Sequence, residues 1–241
     1  TVQRVFGVMD SGLTLRWWGE AVSGVAFMRD LKNTLLLGFM VATGDTVLNA
    51  LMSYVAVRTK LKGRQWIEVL AWVPRMAPGI VAAVGVFWAV LGGIPGLKFL
   101  YGTLFLMAIV IVIERTPQGM RMMSGGMVQL SAELEEAARV SGASWFRTIK
   151  KVVLPLLAPT LLNEWLLAFL AATRALVVLL FIYLPASKVL SVEIFDFMTS
   201  GNMQSAAVLG VVLTGITMVV ATLAAFVAAR QRRTLEAPAV A

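Results

Sequence analysis

Five apolar runs, at about residues 34–57, 66–91, 99–114, 155–180 and 206–229, alternate with short polar and basic segments along this chain. A hydrocarbon layer about 30 Å thick takes about twenty residues of helix, so runs of this length predict membrane-crossing helices. The third run is short by that measure and is expected to gain length from Glu114 onward. The layout predicts an all-α membrane protein, with a segment 1–33 before the first span, a transmembrane domain over 34–233 and a tail over 234–241. Trp17 and Trp18 beside Arg16 suit a first segment lying at a membrane interface.

Polar residues inside such runs are costly in lipid, so they must face protein or water and mark candidate pathway positions. Asp45 and Asn49 are one helical turn apart near the middle of the first run. Pro74, Arg75 and Pro78 interrupt the second, where two missing backbone donors break or kink a helix. Broken helices are tolerated where they line a cavity, although a kink that serves packing alone leaves the same signature. Glu164 and Arg174 interrupt the fourth run. They lie about 15 Å apart along a helix axis, too far for a direct pair, so each needs another partner, Arg75 being one option for the glutamate. Thr214, Gly210, Gly215 and Thr217 give the last run a small-residue face for close helix contact.

Composition narrows the class. With 59% hydrophobic residues, 14% charged residues and a mean hydropathy of +0.83, the chain groups with membrane proteins. There is no cysteine and no histidine, which removes thiolate chemistry, the commonest metal ligand and the commonest general base. No catalytic residue, metal ligand or cofactor is therefore expected. The net charge of +8 does not point to nucleic acid, because the charges sit in loops between apolar runs. Arg58, Lys60, Lys62 and Arg64 crowd one short loop, and the Arg115–Lys151 segment and the Arg230–Arg233 segment are also basic. Thirteen lysines and arginines then fall on one side of the membrane and six on the other, which predicts an outer N-terminus and a cytoplasmic C-terminus. The chain begins at Thr1 without methionine or signal peptide and is expected to be a segment of a longer polypeptide.

One stretch between the third and fourth runs has its own grammar. Glu135, Glu136, Ala137 and Ala138 lead to Gly142 and Ala143, then to Arg147, Lys150 and Lys151, and end at Val152, Leu154 and Pro155. Leu130, Leu134, Ala137, Ala138 and Ser141 repeat at helical steps, Gly142 suits a left-handed cap, and Pro155 suits the first turn of the next helix. A helix–turn–helix knob standing in water is the expected product.

The spacing of Glu136, Ala137, Ala138, Gly142, Leu154 and Pro155 resembles the EAA loop of the membrane permeases of bacterial ABC importers, with Val152 where that family usually has isoleucine. The resemblance extends over about residues 14–233. It implies the five-helix core of the type I importers, located in the bacterial inner membrane. The segment 115–154 would then be a cytoplasmic coupling loop that docks in a groove on an ATP-binding subunit, expected in two copies. A second permease half and a periplasmic or surface substrate-binding protein are further implied partners, and hydrolysis of ATP would belong to the partner. Among importers, the chain looks most like the two-halved iron(III) permeases around Arg58–Arg64, Leu134–Ser144 and Val189–Phe195, while polyamine, thiamine, sulfate and phosphonate permeases share much of the pattern. Where the family commonly has a glutamate after Arg174, this chain has Ala175, Leu176 and Val177.

A proton-coupled carrier working through Asp45, Glu114 and Glu164 is the rival reading, since carboxylates inside membranes often form relays. It leaves the Glu135–Pro155 pattern without a purpose. The chain also has no glycine-rich Lys-Ser/Thr phosphate loop, as Gly92-Gly93 and Gly125-Gly126 lack the lysine.

Overall fold

The computed structural model describes residues 3–5, 8–9, 15–94 and 96–236, with side chains over 15–94 and 96–226. A short antiparallel hairpin opens it, β1 (Gln3–Val5) on β2 (Val8–Met9), with Gln3 opposite Met9 and Val5 opposite Val8. The rest is helical. The helices are α1 (Arg16–Val22), α2 (Val25–Arg58), α3 (Arg64–Met76), α4 (Gly79–Trp88), α5 (Leu104–Gln129), α6 (Glu133–Val140), α7 (Trp145–Thr148), α8 (Leu154–Arg174), α9 (Leu179–Ile182), α10 (Leu190–Thr199) and α11 (Met203–Glu236). Val25–Arg58, Trp145–Arg174 and Met203–Phe226 are each long and apolar enough to cross a membrane, and Arg64–Met76 with Gly79–Gly93 passes as a broken fourth.

Where the helices differ from the runs read off the sequence, local chemistry explains it. The break in the second run falls at Ala77, whose backbone is extended at φ −88° and ψ 136°. Pro78 causes it, because a proline forces the residue before it out of the helical region, whereas Pro74 is carried inside α3. The third run, expected over 99–114, instead starts its helix at Leu104 after a 3-10 turn at Lys98–Leu100. That helix does not stop at Arg115 but continues through Pro117 to Gln129, so the first part of the expected loop 115–154 is helix. Pro117 deletes one backbone donor, and the Thr116 hydroxyl adds a bond to the Val112 carbonyl at 2.9 Å. The fourth run ends as helix at Arg174 rather than near 180, where 21 residues already span about 31 Å. The chain then turns, and the Ser191 hydroxyl holds the Ala175 carbonyl at 2.6 Å.

Two compact units divide the chain. One gathers the residues up to Met40 with Gly79–Val110 and Leu170–Val219. Its core is Ala21, Phe27, Leu190, Val208, Leu209 and Leu213, with Trp17 packed against it. The start of α2 clamps the start of α10 there: the Asn33 amide donates to the carbonyls of Ala186 and Lys188 at 3.0 and 2.8 Å, and Thr34 accepts from the Leu190 N–H at 2.8 Å. The other unit gathers Val41–Pro78, Ile111–Phe169 and the residues from Val220 on. Met127, Val153 and Leu157 form one of its apolar clusters, flanked by Tyr54, Val57, Leu130 and Ile149, and Ala42, Ala168 and Phe169 form another.

Candidate functional site

The stretch from Glu133 to Pro155 folds as the expected knob. Helix α6 stops at a left-handed Gly142 with φ +81°, whose N–H bonds the Arg139 carbonyl at 2.9 Å while Ala143 N–H reaches back to the Ala138 carbonyl at 3.0 Å. This pair of bonds is the Schellman cap, and it satisfies carbonyls that the helix end leaves open. Helix α7 follows, a wider π turn at Ile149–Val153 continues the return, and α8 takes up Pro155 in its first turn. Glu136, Ala137, Gly142, Leu154 and Pro155 are exposed, and Ala138 and Ala143 are half-buried. Val140 and Phe146, on either side of the turn, are 89% and 68% exposed.

Glu135 behaves differently from its neighbour. Its side chain turns inward and the residue is only 6% exposed. Arg58, the last residue of α2, brings its Nε to 3.2 Å from Glu135 Oε1, a charge pair whose angle is off the line of a hydrogen bond. The same guanidinium donates through Nη2 to the carbonyls of Met127 and Leu130 at 2.9 and 2.6 Å, so it also caps the end of α5. Tyr54, one turn earlier on α2, donates to Glu135 Oε2 at 3.4 Å and accepts from the Trp145 indole N–H at 3.0 Å.

The carboxylates predicted inside the first and fourth runs, Asp45 and Glu164, meet in a second cluster. Arg115 of α5 donates from Nε to Asp45 Oδ2 at 3.2 Å and from Nη2 to Glu164 Oε1 at 3.1 Å. Asp45 and Glu164 are 0% and 1% exposed. The Asn49 amide completes the group, donating to Asp45 Oδ1 at 2.7 Å and to the Asp45 carbonyl at 2.9 Å. Two carboxylates on different helices thus share one guanidinium, which joins α2, α5 and α8. Gly119 makes the close approach possible, since a Cβ there would lie 2.2 Å from Asn49 Nδ2 and 3.0 Å from Glu164 Oε1. Farther along, the Ser53 hydroxyl bonds the Met120 carbonyl at 3.2 Å and meets the Ser124 hydroxyl at 3.1 Å. Contacts between α2 and α5 therefore ascend in the same order on both helices, from Asp45 with Arg115 to Arg58 with Met127, and form one polar seam.

Asp45, Asn49 and Glu164 are brought together, but Arg75 and Arg174 are exposed and take no part, so the partner of Glu164 is Arg115 and neither of those arginines. The sequence expectation puts Arg115 at the start of the loop 115–154 rather than inside a helix. A four-residue step from Arg115 to Gly119 matches the step from Asp45 to Asn49, and that was the available signal. Tyr54 had no local signal at all.

Comparison with known proteins places this architecture. Residues 35–233 match the family described as binding-protein-dependent transport system inner membrane component, and the chain belongs to that family. Over 165 residues, 68% of this chain, it is 29% identical to the ferric transport system permease protein FbpB of Actinobacillus pleuropneumoniae. Over 182 residues, 73% of this chain, it is 25% identical to the spermidine/putrescine transport system permease protein PotC of Escherichia coli. The matched stretch is 23% of the first relative's length and 65% of the second's. Among solved structures, a chain of a bacterial ABC transporter involved in the import of the acidic polysaccharide alginate shares the fold at a TM-score of 0.77 and 15% identity, covering 92% of this chain and 85% of that one.

Proposed function

We propose that the chain is the permease part of an ATP-driven importer, forming half of a transport path and receiving mechanical work through the Glu133–Pro155 knob. The observation that carries this reading is the knob's surface: apolar Val140 and Phe146 stand in the open beside exposed Glu136 and Ala137, a crown suited to a groove on a second protein. That protein is an ATP-binding subunit, and the knob with the Arg58–Arg64 loop faces the cytoplasm, as the excess of positive charge in those segments supports. A second permease half covers the exposed apolar side of α3, where Trp66, Leu70 and Met76 stand out, and an outer substrate-binding protein supplies the cargo. Asp45, Asn49, Pro74, Arg75, Pro78, Glu164 and Arg174 remain the pathway candidates, the first two and Glu164 acting as a paired group.

Iron(III) is the proposed substrate, supported by the ferric permease relative. A polyamine is the second reading, favoured by the larger share of PotC that this chain matches. Cells lacking this permease should lose ATP-dependent uptake of radioactive iron delivered by the binding protein. Intact iron uptake with lost spermidine uptake would move the substrate to the polyamines. If uptake of both persists after ATP depletion and stops when the proton gradient is collapsed, the importer reading fails.

A further inference from the structure

Helix α6 inverts the usual preference of a surface helix. It buries the carboxylate of Glu135 while Leu134 and Val140 on the same helix are left open, although burying a charge is costly unless it is partnered. Solubility and core packing would favour the reverse. The inward turn of Glu135 instead fastens the knob to one turn of α2, through Arg58 and Tyr54. The second knob helix is fastened to that same turn, since the Trp145 indole donates to Tyr54 and its ring meets the tyrosine ring edge-on at 6.1 Å. Neither helix of the knob can be displaced without pulling on Tyr54 or breaking its bond. Arg58 also grips the last carbonyls of α5, so the pull is applied to α2 and α5 together. The seam of Ser53 with Ser124, Asn49 beside Gly119 and Asp45 with Arg115 then carries it to the buried ion pairs.

We propose that Arg58 and Tyr54 form the joint through which movement of the knob reaches the buried Asp45–Arg115–Glu164 cluster, with Glu135 as the positioning residue on the knob side. This rests on the permease reading above and adds to it a division of labour: Glu136 belongs to the docking face, and Glu135 to the linkage inside the chain. Such a linkage has two parts that can be separated. Docking needs the exposed crown, and transmission needs the buried latch. The apolar cluster of Met127, Val153 and Leu157 supports the knob through apolar contacts that include the Tyr54 ring, so substitutions that keep that ring and remove only polar groups of the latch leave this packing in place.

The test uses the complete transporter in lipid vesicles, with Glu135→Gln and, separately, Tyr54→Phe, which keeps the ring against Trp145 and deletes only the bridging hydroxyl. Three quantities are read: co-purification of the ATP-binding chain, ATP hydrolysis with and without loaded binding protein, and the distance between spin labels on Glu133→Cys in α6 and Leu51→Cys in α2. In the unsubstituted protein, that distance should stay in one narrow distribution between nucleotide-free and vanadate-trapped states. In either variant the ATP-binding chain should co-purify normally and basal hydrolysis should persist, while stimulation by loaded binding protein falls by about tenfold and the label distance broadens on trapping. Normal stimulation and an unchanged distance in both variants would overturn the joint. Loss of the ATP-binding chain from Tyr54→Phe would also overturn it, because the latch would then be part of the docking face. An unsubstituted transporter that neither binds an ATP-binding chain nor hydrolyses ATP would refute the permease reading itself, and this inference falls with it.

Discussion

Arg115 holds two buried carboxylates at once, Asp45 and Glu164. Replacing it with methionine keeps much of the volume and leaves both acids unpaired, a situation that costs about 3–5 kcal/mol in buried ion pairs. Arg115→Met should lower the melting temperature of the purified protein sharply, and Arg115→Met combined with Asp45→Asn and Glu164→Gln should recover part of the loss. Equal melting of the single and triple variants would mean that the pairs are not the source of the cost. Gly119 gives a finer probe of the same cluster. Alanine ordinarily favours a helix over glycine by about 0.5–1 kcal/mol. At Gly119 the new Cβ would meet Asn49 Nδ2 at 2.2 Å, and Asn49 is pinned by its two bonds to Asp45. Gly119→Ala should therefore destabilise by about 1–3 kcal/mol, the usual cost of overpacking. Gly125→Ala, six residues on in the same helix with nothing within 4 Å of its Cβ, should be neutral or stabilising. Similar thermal shifts for the two variants would contradict the close approach at Asn49.

At the level of elements, the turn between α6 and α7 separates conformational cost from steric cost. Nothing lies within 4 Å of a Cβ built on Gly142, so any penalty there comes from its φ of +81° alone. A β-branched residue resists that region and asparagine tolerates it, with left-handed backbone costing ordinary residues about 1–2 kcal/mol. Gly142→Val should misplace α7, weaken uptake and leave membrane insertion normal, whereas Gly142→Asn should stay near the unsubstituted rate. Uptake assays at matched expression decide this, and equal rates for the two would argue against any role for the turn in coupling. The course of α5 has a similar lesson. The loop expected from residue 115 is instead helix as far as Gln129, because Arg115 has partners inside the protein and Pro117 removes one bond among many.

For the whole molecule, the proposed orientation is testable with reporter fusions placed in turns rather than inside helices. Fusions after Gly63 and Ser131 should read cytoplasmic, and fusions after Gly96 and Gly201 should read external. An internal signal at Gly96 would remove the assignment of α3 and α4 to one broken crossing. The same orientation puts Tyr54, Arg58 and the knob at the cytoplasmic end of the path. The buried ion pairs then lie deeper along α2, with Asp45 about 20 Å from Arg58 by the rise of a helix.

Much of this was legible one element at a time. The presence of long apolar helices, the break near Pro78 and the glycine turn at 142 are set by rules that act within about four residues, namely periodicity, proline's restriction of the residue before it and the left-handed cap. Those rules were enough to predict an all-α membrane fold, while the family to which the chain belongs was indicated by the resemblance of the Glu136–Pro155 spacing to the EAA loop. Which charges would pair could not be read this way. Arg115 finds Asp45 across 70 positions and Glu164 across 49, and Tyr54 finds Glu135 across 81. Such choices depend on which helices pack side by side and at what register, and a shift of one residue turns a helical side chain by about 100° and aims it elsewhere. Tertiary packing therefore decided that Glu135 turns inward while Glu136 stays in the open, because the position of α2 beside α6 adds Arg58 and Tyr54 to the Arg139 that Glu135 already has one turn along its own helix.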